Sequence, residues 1–256
     1  MIKLSVNVNK VATLRNSRGG SVPSVERAVT TCLDAGAPGI TVHPRADERH
    51  IRPDDVHGIA RLLAARRAAG APAVEFNIEG DPRPALIDLV LEVKPDQCTL
   101  VPVQAGEITS QAGWPPDTRP ATLRPVVAAL QDVGVRVSLF VDPDDRAIEW
   151  AAGCEADRVE LYTEPFARAF ERGGPAARES FEVYAAAAEA AHRLGLGVNA
   201  GHDLDLQNLT LFRRLPHLDE VSIGHALVGD ALWMGLAASV RAYLDVLVAG
   251  EGSPAV

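Results

Sequence analysis

The stretch GLGVNAGHDLDLQN, residues 195–208, contains a strand pattern followed by a helix pattern, the unit from which the fold can be inferred. An apolar run from Leu196 to Ala200 predicts a buried strand, Gly201 interrupts it, and a helix-like pattern follows. The stretch VSIGHALVG, residues 221–229, repeats this arrangement, again with a Gly-His pair behind the strand. Both stretches raise the question of why a titratable imidazole follows a buried strand.

Eight apolar, β-rich runs of this kind occur along the chain, and amphipathic segments separate them. Near-continuous apolar runs are typical of strands that are covered on both faces, as in parallel sheets. The alternation predicts an α/β fold, a (β/α)8 TIM barrel with a few extra helices, and a doubly wound open sheet is the alternative. The runs are LSVNV (4–8), GITVH (39–43), AVEFNI (73–78), QCTLVPV (97–103), RVSLFVD (136–142), RVELYTE (158–164), GVNAGH (197–202) and EVSIGHA (220–226).

The length of 256 residues suits one barrel. We expect a single domain over residues 1–250 and a flexible tail at 251–256. The connection at 104–121 is rich in glycine and proline, which predicts a functional loop that closes as a lid. Residues 165–176 predict a short extra helix before a longer one.

The composition excludes several classes of function. The formal charge is 25 − 34 = −9 at pH 7, so no nucleic-acid partner is expected, because binding to a phosphate backbone needs a basic face. A local basic pocket is enough for a small phosphorylated substrate.

Cys32, Cys98 and Cys154 lack metal or redox spacing and predict buried thiols in a reduced compartment. The start of the chain shows no signal peptide and no run is long enough for a membrane span, which predicts a cytoplasmic protein without a membrane partner.

Polar and titratable residues follow most of the predicted strands. In a (β/α)8 barrel the active site lies at the carboxyl ends of the strands, so these residues are candidates for one common site. They include Asn7, Asn9, Lys10, Arg15, Arg18, His43, Arg45, His50, Asn77, Glu79, Thr109, Asp142, Glu160, Thr163, Glu164, Asn199, His202, Asp203, Gly224 and His225.

Each candidate also has an interpretation in which it serves structure alone. Asn7 and Asn199 could close backbone hydrogen bonds at the barrel ends, and His43 could be a core histidine. Arg15 and Arg18 could be solvated, although both lie beside a Gly-Gly loop that could admit a ligand.

Carboxylates and metals give three further expectations. Asp142 precedes Pro143 and two acids, which favours a helix cap over a site residue. Glu160 lies within a predicted strand, where it could point outward or pair with an arginine of the barrel. The histidines show neither His-x-His nor His-Glu-x-x-His spacing, so no metal site is expected.

The three residues His43, Glu79 and His202 follow different strands and would therefore surround a pocket. Imidazoles titrate near neutral pH, and desolvation raises the pKa of a carboxyl group in a barrel mouth. Such a set suits a reaction with several proton transfers. We hypothesise that Glu79 handles carbon-bound protons, while His43 and His202 serve oxygens and leaving groups.

Two places suit phosphate groups. Loops after strands 7 and 8 of this fold often hold a phosphate with backbone N–H groups, and Gly201 and Gly224 would allow the backbone to approach closely. Arg45 and His50 could hold a second phosphate beyond strand 2, because the forked guanidinium matches phosphate oxygens.

Six segments of the chain together resemble the PdxJ family of pyridoxine 5′-phosphate synthases, in order and over essentially the whole length. The motifs TVHPRADERHI, NAGHDL and SIGHA are the most specific of these. The segments are VNVNKVATLRNSRGG (6–20), GITVHPRADERHIR (39–52), EFNIEG (75–80), TLVPVQAGEITSQAGW (99–114), GLGVNAGHDL (195–204) and EVSIGHALVGDAL (220–232).

The resemblance implies a transferase-class enzyme of vitamin B6 biosynthesis. It implies condensation of 1-deoxy-D-xylulose 5-phosphate with 3-amino-2-oxopropyl phosphate to pyridoxine 5′-phosphate, phosphate and water, with no metal or organic cofactor. It also implies a homo-octamer, a tetramer of dimers, and a closing lid around Thr109. The family's catalytic residues correspond to His43, Glu79 and His202. Its aminoketone-phosphate contacts correspond to Asn7, Arg18, Asp203, Gly224 and His225, and its deoxyxylulose-phosphate contacts to Asn9, Lys10, Arg45, His50 and Thr109.

The chain departs from the family pattern at two places. Many members have Asp-His where this chain has Asn9-Lys10, and many have Gly where it has Asp203. These departures place a proton-transfer role of the first pair in doubt, while the Lys10 charge could still bind a carbonyl or phosphate. Asp203 could cap the next helix or contact substrate through its backbone N–H.

Two other functions remain open at this point. One is a different barrel enzyme acting on a single sugar phosphate, such as an epimerase or aldolase, although no Schiff-base lysine lies at a strand end. The other is a non-catalytic paralogue that binds a B6 phosphate, which the Asn9-Lys10 departure motivates.

Overall fold

The structure is a computed structural model that describes residues 1–102 and 112–249. Eight parallel strands form a closed barrel in which each strand pairs with the next and β8 pairs with β1. The (β/α)8 TIM barrel is therefore confirmed, and the doubly wound alternative is wrong. The strands are β1 (Lys3–Asn7), β2 (Gly39–Val42), β3 (Glu75–Gly80), β4 (Gln97–Leu100), β5 (Arg136–Val141), β6 (Arg158–Tyr162), β7 (Gly197–Gly201) and β8 (Leu218–Ile223).

Helices surround the barrel within the described ranges. Proline occupies the first turn of several of them, where its missing N–H removes no intrahelical bond. Gly36 follows α2 with φ 103°, a left-handed conformation that a residue with a side chain rarely adopts. The helices are α1 (Asn9–Asn16), α2 (Val25–Asp34), α3 (Pro53–Ala68), α4 (Pro84–Val93), α5 (Pro120–Gln131), α6 (Asp145–Gly153), α7 (Glu164–Glu171), α8 (Gly174–Arg193), α9 (Leu209–Phe212), α10 (His225–Met234) and α11 (Leu236–Val248).

The barrel interior is polar, whereas branched apolar side chains fill most barrels of this fold. Alternate strand residues contribute to it, because successive side chains of a strand lie on opposite faces. Ser5 and Thr41 share a hydrogen bond of 2.6 Å, Asn77 donates to Thr41 at 3.3 Å, and Thr99 donates to Asn77 at 3.1 Å. These side chains therefore satisfy one another's hydrogen-bonding groups across β1 to β4, beneath the carboxyl end of the barrel.

Ion pairs close the amino end of the barrel. The Glu75 carboxylate accepts from Lys3 Nζ at 3.0 Å and pairs with Arg136. Arg158 donates to the Asn199 side chain at 2.7 Å. Asn199 thus belongs to a side-chain network inside the barrel, and its predicted role in closing backbone hydrogen bonds is wrong.

Several boundaries differ from the sequence expectation. The helix α1 was not predicted, although its Val11 and Ala12 are buried. The strands β6 and β8 end earlier than predicted because α7 and α10 begin at Glu164 and His225. The predicted extra helix at 165–176 corresponds to α7 and the first turn of α8. Strand β3 extends to Gly80, so Glu79 lies within the strand rather than behind it.

The helix-cap interpretation of Asp142 is wrong. The residue before α6 is Asp144, whose Oδ1 accepts the N–H of Ala147 at 3.0 Å. Asp142 Oδ1 accepts the N–H of Gly113 at 3.3 Å instead. It therefore anchors the segment that enters α5 to the end of β5.

The three cysteines are buried and free, as expected. Burial raises the pKa of the Cys32 and Cys98 thiols to about 12. Of the helices described here, none is long and apolar enough to cross a membrane. Thr109, which was expected in a lid, and the expected tail at 251–256 lie outside the described residues.

Candidate active site

A polar cavity of about 320 Å³ opens at the carboxyl ends of the strands. All three catalytic candidates line it, together with eight of the ten candidate substrate contacts. Arg18 is exposed and lies outside the cavity, and Thr109 is not among the described residues. The candidates that the fold brings together are Asn7, Asn9, Lys10, His43, Arg45, His50, Glu79, His202, Asp203, Gly224 and His225.

Glu79 lies buried at the end of β3 with weak hydrogen-bond partners. Asn7 Nδ2 donates to its Oε2 at 3.4 Å, and Ser222 Oγ donates to its Oε1 at 3.5 Å. Burial therefore dominates and raises the pKa of Glu79 to about 8. At neutral pH this carboxyl group holds a proton.

His43 lies directly behind β2, beside Glu79. Asn9 Oδ1 accepts the backbone N–H of His43 at 2.9 Å and thereby fixes the end of the strand. The His43 Nδ1 atom is 4.0 Å from Glu79 Oε2, while Nε2 is buried and has no hydrogen-bond partner within the described part of the chain. Burial lowers the pKa of His43 well below its ordinary value, and the positive charge of Arg45 lowers it further. The resting imidazole is therefore neutral.

His202 follows β7 and lines the cavity in a left-handed backbone conformation, with φ 82°. Its ring packs against Phe140 and Tyr162 at centroid distances of 5.0 and 5.5 Å. The Thr163 hydroxyl donates to the carbonyl groups of Gly201, at 2.6 Å, and His202. Burial lowers the pKa of His202, and the neighbouring Asp203 carboxylate partly opposes this shift.

Asp203 caps no helix, so that interpretation is wrong. It is exposed with φ 55°, and its carbonyl oxygen accepts from Asn208 Nδ2 at 2.9 Å. The turn before α9 is stabilised by Asp205, whose Oδ1 accepts the N–H groups of Gln207 and Asn208 at 2.8 Å each. Asp is one of the residues that tolerate a left-handed conformation, which accounts for its presence here.

Glu160 lines the site, whereas the sequence interpretation favoured an outward position or a pair with an arginine of the barrel. It is buried, it lines the cavity, and its Oε2 has no hydrogen-bond partner among the residues described. Burial raises the pKa of Glu160 well above its ordinary value, and repulsion from Glu79 raises it further. A Cβ atom on Gly201 would overlap with Glu160 Oε1, so this glycine makes room for the carboxyl group. The alternation Arg158, Glu160, Tyr162 in RVELY was the available signal, because it places all three on the inner face.

The ends of β8 and β1 meet at Gly224. A Cβ atom there would lie 3.1 Å from both the Cβ and the carbonyl oxygen of Asn7. Gly224 also precedes α10, which begins at His225, so the free N–H groups of the first helical turn border the cavity. This arrangement fits the predicted phosphate site.

Basic side chains line the part of the cavity that lies behind β1 and β2. Lys10 and Arg45 line it there, and Arg45 is 7% exposed. Burial and the charges of Arg45 and Lys10 lower the pKa of His50 to about 4. The His50 Nδ1 atom accepts the N–H of Ile51 at 3.0 Å, so the neutral ring carries its proton on Nε2.

Glu79→Gln is expected to stabilise the fold increasingly as the pH rises. The pKa of Glu79 is about 8 in the folded protein and about 4.5 in the unfolded chain. The free energy of unfolding is therefore highest below pH 4.5, where both states hold the proton, and it falls as the pH rises towards 8. The loss is about 1.4 kcal/mol per pH unit. Denaturant unfolding should therefore show that the gain from Glu79→Gln is about 3 kcal/mol larger at pH 8 than at pH 5.5. A gain of equal size at both pH values would contradict the buried, protonated carboxyl group.

Over residues 1–102 and 112–249, no group of three or more His, Cys, Asp or Glu side chains could hold a metal ion.

A family model described as "Pyridoxal phosphate biosynthesis protein PdxJ" matches residues 4–249. A protein of Bacteroides fragilis named pyridoxine 5′-phosphate synthase is 52% identical over 248 residues, which cover 96% of this chain and 100% of the relative. A protein of Leptospira biflexa with the same name is 50% identical over 257 residues, which cover 98% of this chain and 99% of the relative.

Two solved structures share the fold at low sequence identity. A phosphoribosyl anthranilate isomerase from Thermus thermophilus has a TM-score of 0.57 and 15% identity, covering 97% of this chain and 99% of its own. The YdjI aldolase of Escherichia coli K12 has a TM-score of 0.61 and 12% identity, covering 96% and 88%. At such identities the likeness shows the barrel fold alone.

Proposed function

The chain belongs to the PdxJ family of pyridoxal phosphate biosynthesis proteins, and from that premise we propose that it is a pyridoxine 5′-phosphate synthase. It would condense 1-deoxy-D-xylulose 5-phosphate with 3-amino-2-oxopropyl phosphate by acid–base catalysis. The observation that carries the proposal is that one cavity is lined by His43, Glu79 and His202 and also by residues of both predicted phosphate sites.

The two phosphate positions are proposed at different strand ends, one behind β8 and the other behind the neighbouring strands β1 and β2. The aminoketone phosphate is proposed to bind at Gly224 and His225, where the N–H groups of the first turn of α10 favour an anion. The sugar phosphate is proposed to bind at Lys10, Arg45 and His50. This placement leaves the amine and ketone groups of the two substrates to meet between the catalytic side chains.

The resting protonation states support an order of proton transfers. Glu79 holds a proton at neutral pH, so it can act first as an acid that releases water when the amine condenses with the ketone. It is then a carboxylate and can remove a carbon-bound proton in the next step. His43 and His202 are neutral, so they can accept protons from hydroxyl groups and return them to the leaving phosphate and water.

Glu160 is proposed as a fourth group of the same reaction. Burial favours the protonated form of its carboxyl group, and its Oε2 has no hydrogen-bond partner among the described residues. A protonated carboxyl group can donate a hydrogen bond to an oxygen that gains negative charge during ring closure.

The remaining contacts follow from the family resemblance. Asn7 and Asn9 hold Glu79 and His43 in place through their side chains, and each retains atoms at the cavity. Asp203 is proposed to contact the aminoketone phosphate through its backbone N–H. Arg18 and Thr109 complete the proposed set on resemblance alone.

The assay that tests this function has three arms: each substrate alone, and both together with purified protein. Product absorbance and phosphate release are followed in each arm. A synthase gives both signals only in the combined arm. Turnover of one substrate alone would indicate an epimerase or aldolase. Tight binding of pyridoxine 5′-phosphate without any turnover would indicate the non-catalytic paralogue.

The assembly and the cellular compartment are also part of the proposal. A homo-octamer built from dimers agrees with the apolar residues Leu232 and Trp233, which are 72% and 90% exposed at the end of α10. Three free, buried thiols agree with a cytoplasmic location. Light scattering of the purified protein measures the assembly directly.

A further inference from the structure

Arg15 is a buried, charged residue that has no role in the proposed reaction. Its side chain is 9% exposed and forms a forked ion pair with Asp55, with Nη2 at 2.9 Å from Oδ2. The same Nη2 donates to the carbonyl oxygen of His50 at 3.2 Å, and Nε donates to Asn16 Oδ1 at 2.9 Å. The guanidinium therefore joins α1, the start of α3 and the segment that carries His50.

Asn16, the neighbour of Arg15, contacts the same segment. Its Nδ2 donates to the carbonyl oxygens of His50 at 2.7 Å and Glu48 at 3.1 Å. The His50 carbonyl thus accepts from two side chains of α1. This double contact fixes the main chain where His50 leaves the exposed turn at 46–49.

Asp55 completes the arrangement from α3. Its Oδ2 accepts the backbone N–H of Arg52 at 2.8 Å while the carboxylate holds Arg15. The His50 Nδ1 atom in turn accepts from the N–H of Ile51 at 3.0 Å, so the ring orientation depends on the same stretch of main chain.

We propose that Arg15 is a positioning residue for the sugar-phosphate end of the cavity. By holding the main chain of His50, it directs the His50 Nε2–H group towards the phosphate beside Arg45. This inference rests on the proposed function for the identity of the ligand. Arg15 acts through His50 and does not touch the substrate.

Lysine cannot replace Arg15 in this role. The planar guanidinium donates to Asp55, His50 and Asn16 in three directions, whereas an ammonium group on a flexible stem cannot reproduce that fork. Arg15→Lys keeps the positive charge next to Asp55, so it avoids an unpaired buried carboxylate. It is therefore the variant that separates positioning from charge.

Arg15→Lys is expected to raise the Kd and the KM for 1-deoxy-D-xylulose 5-phosphate about tenfold, while kcat and the KM for the aminoketone phosphate stay within about threefold. Tenfold corresponds to about 1.4 kcal/mol, the scale of one lost charge-assisted hydrogen bond. Calorimetry gives Kd without turnover, and initial rates give KM and kcat. Arg61→Lys, on the exposed side of α3, is the matched control and should change neither constant.

Two further measurements distinguish positioning from a merely structural role. In a His50→Gln background, Arg15→Lys should change the Kd for 1-deoxy-D-xylulose 5-phosphate less than twofold, because the imidazole that Arg15 positions is already absent. The ¹⁵N shifts of the His50 ring should show a proton on Nε2 in the unmodified protein and a tautomer mixture in Arg15→Lys. This second readout needs no ligand, so it remains decisive if the protein proves not to be a synthase.

Two results would overturn the proposal. One is a lower melting temperature in Arg15→Lys with unchanged Kd and unchanged His50 shifts, which would make Arg15 purely structural. The other is a rise of equal size in the KM values of both substrates, which would show a general disturbance of the cavity.

Discussion

Replacing Glu79 with Gln is expected to lower kcat by roughly 10²- to 10⁴-fold, the usual range for loss of a general acid–base group. Glutamine keeps the size of the side chain and a hydrogen-bond donor but cannot release or accept a proton. The KM values of both substrates should change only a few-fold, because Glu79 is not among the proposed phosphate contacts. Stopped-flow absorbance with both substrates measures the effect.

Glu220→Gln is the matched control for this substitution. Glu220 is also a buried strand glutamate of the barrel interior, but it does not line the cavity. Glu220 repels the Glu79 carboxylate and helps to raise its pKa, so its replacement should change kcat through that pKa alone and far less than Glu79→Gln does. If Glu79→Gln retained turnover within a few-fold of the unmodified protein, the acid–base role of Glu79 would be wrong.

Gly201→Ala is expected to lower kcat by about 10²-fold or more, because small displacements in an active site have effects of this size. The added methyl group would overlap with Glu160 Oε1 and lie 3.3 Å from the carbonyl oxygen of Ser222. Glu160 is buried and cannot move away without losing its place in the cavity. Initial rates with both substrates at saturation measure the loss.

Two variants show whether Gly201→Ala acts through Glu160. Gly197→Ala crowds Arg158 at the other end of β7 and should reduce kcat far less. In a Glu160→Ala background, Gly201→Ala should add little, because the group it displaces is gone. Full additivity of the two changes would contradict the role of Gly201 as the space for Glu160.

The fold was predictable because eight strand–helix repeats leave few alternatives. The polar barrel interior was not predicted, although the sequence contains it. In EFNIEG and RVELY, apolar and polar residues alternate strictly, and these runs were interpreted as nearly apolar. In an ordinary barrel both faces of a strand are apolar, so strands are expected as continuous apolar runs and an alternation of polar and apolar residues is not read as a sign of a site. Here it places Glu79 and Glu160 on the inner face, towards the cavity.

The site residues divide in the same way. His43, Glu79 and His202 were predictable because they lie at or near strand ends, where the fold itself assigns a location. Arg15 was not, because its role depends on the bend that brings α1, α3 and the His50 segment together. Distances between three separate segments are not encoded in local spacing. The left-handed backbone of Asp203 was equally hidden, since Asp occurs in caps and in left-handed turns alike.

The most direct test of the central claim is the stoichiometry of a single turnover. Protein in excess is mixed with one equivalent of 1-deoxy-D-xylulose 5-phosphate and one of 3-amino-2-oxopropyl phosphate, and phosphate and pyridoxine 5′-phosphate are quantified after quenching. The proposed condensation predicts one phosphate and one pyridoxine 5′-phosphate per pair of substrates, and neither when one substrate is omitted. Phosphate release from a single substrate, or complete binding of both without any pyridoxine 5′-phosphate, would contradict it.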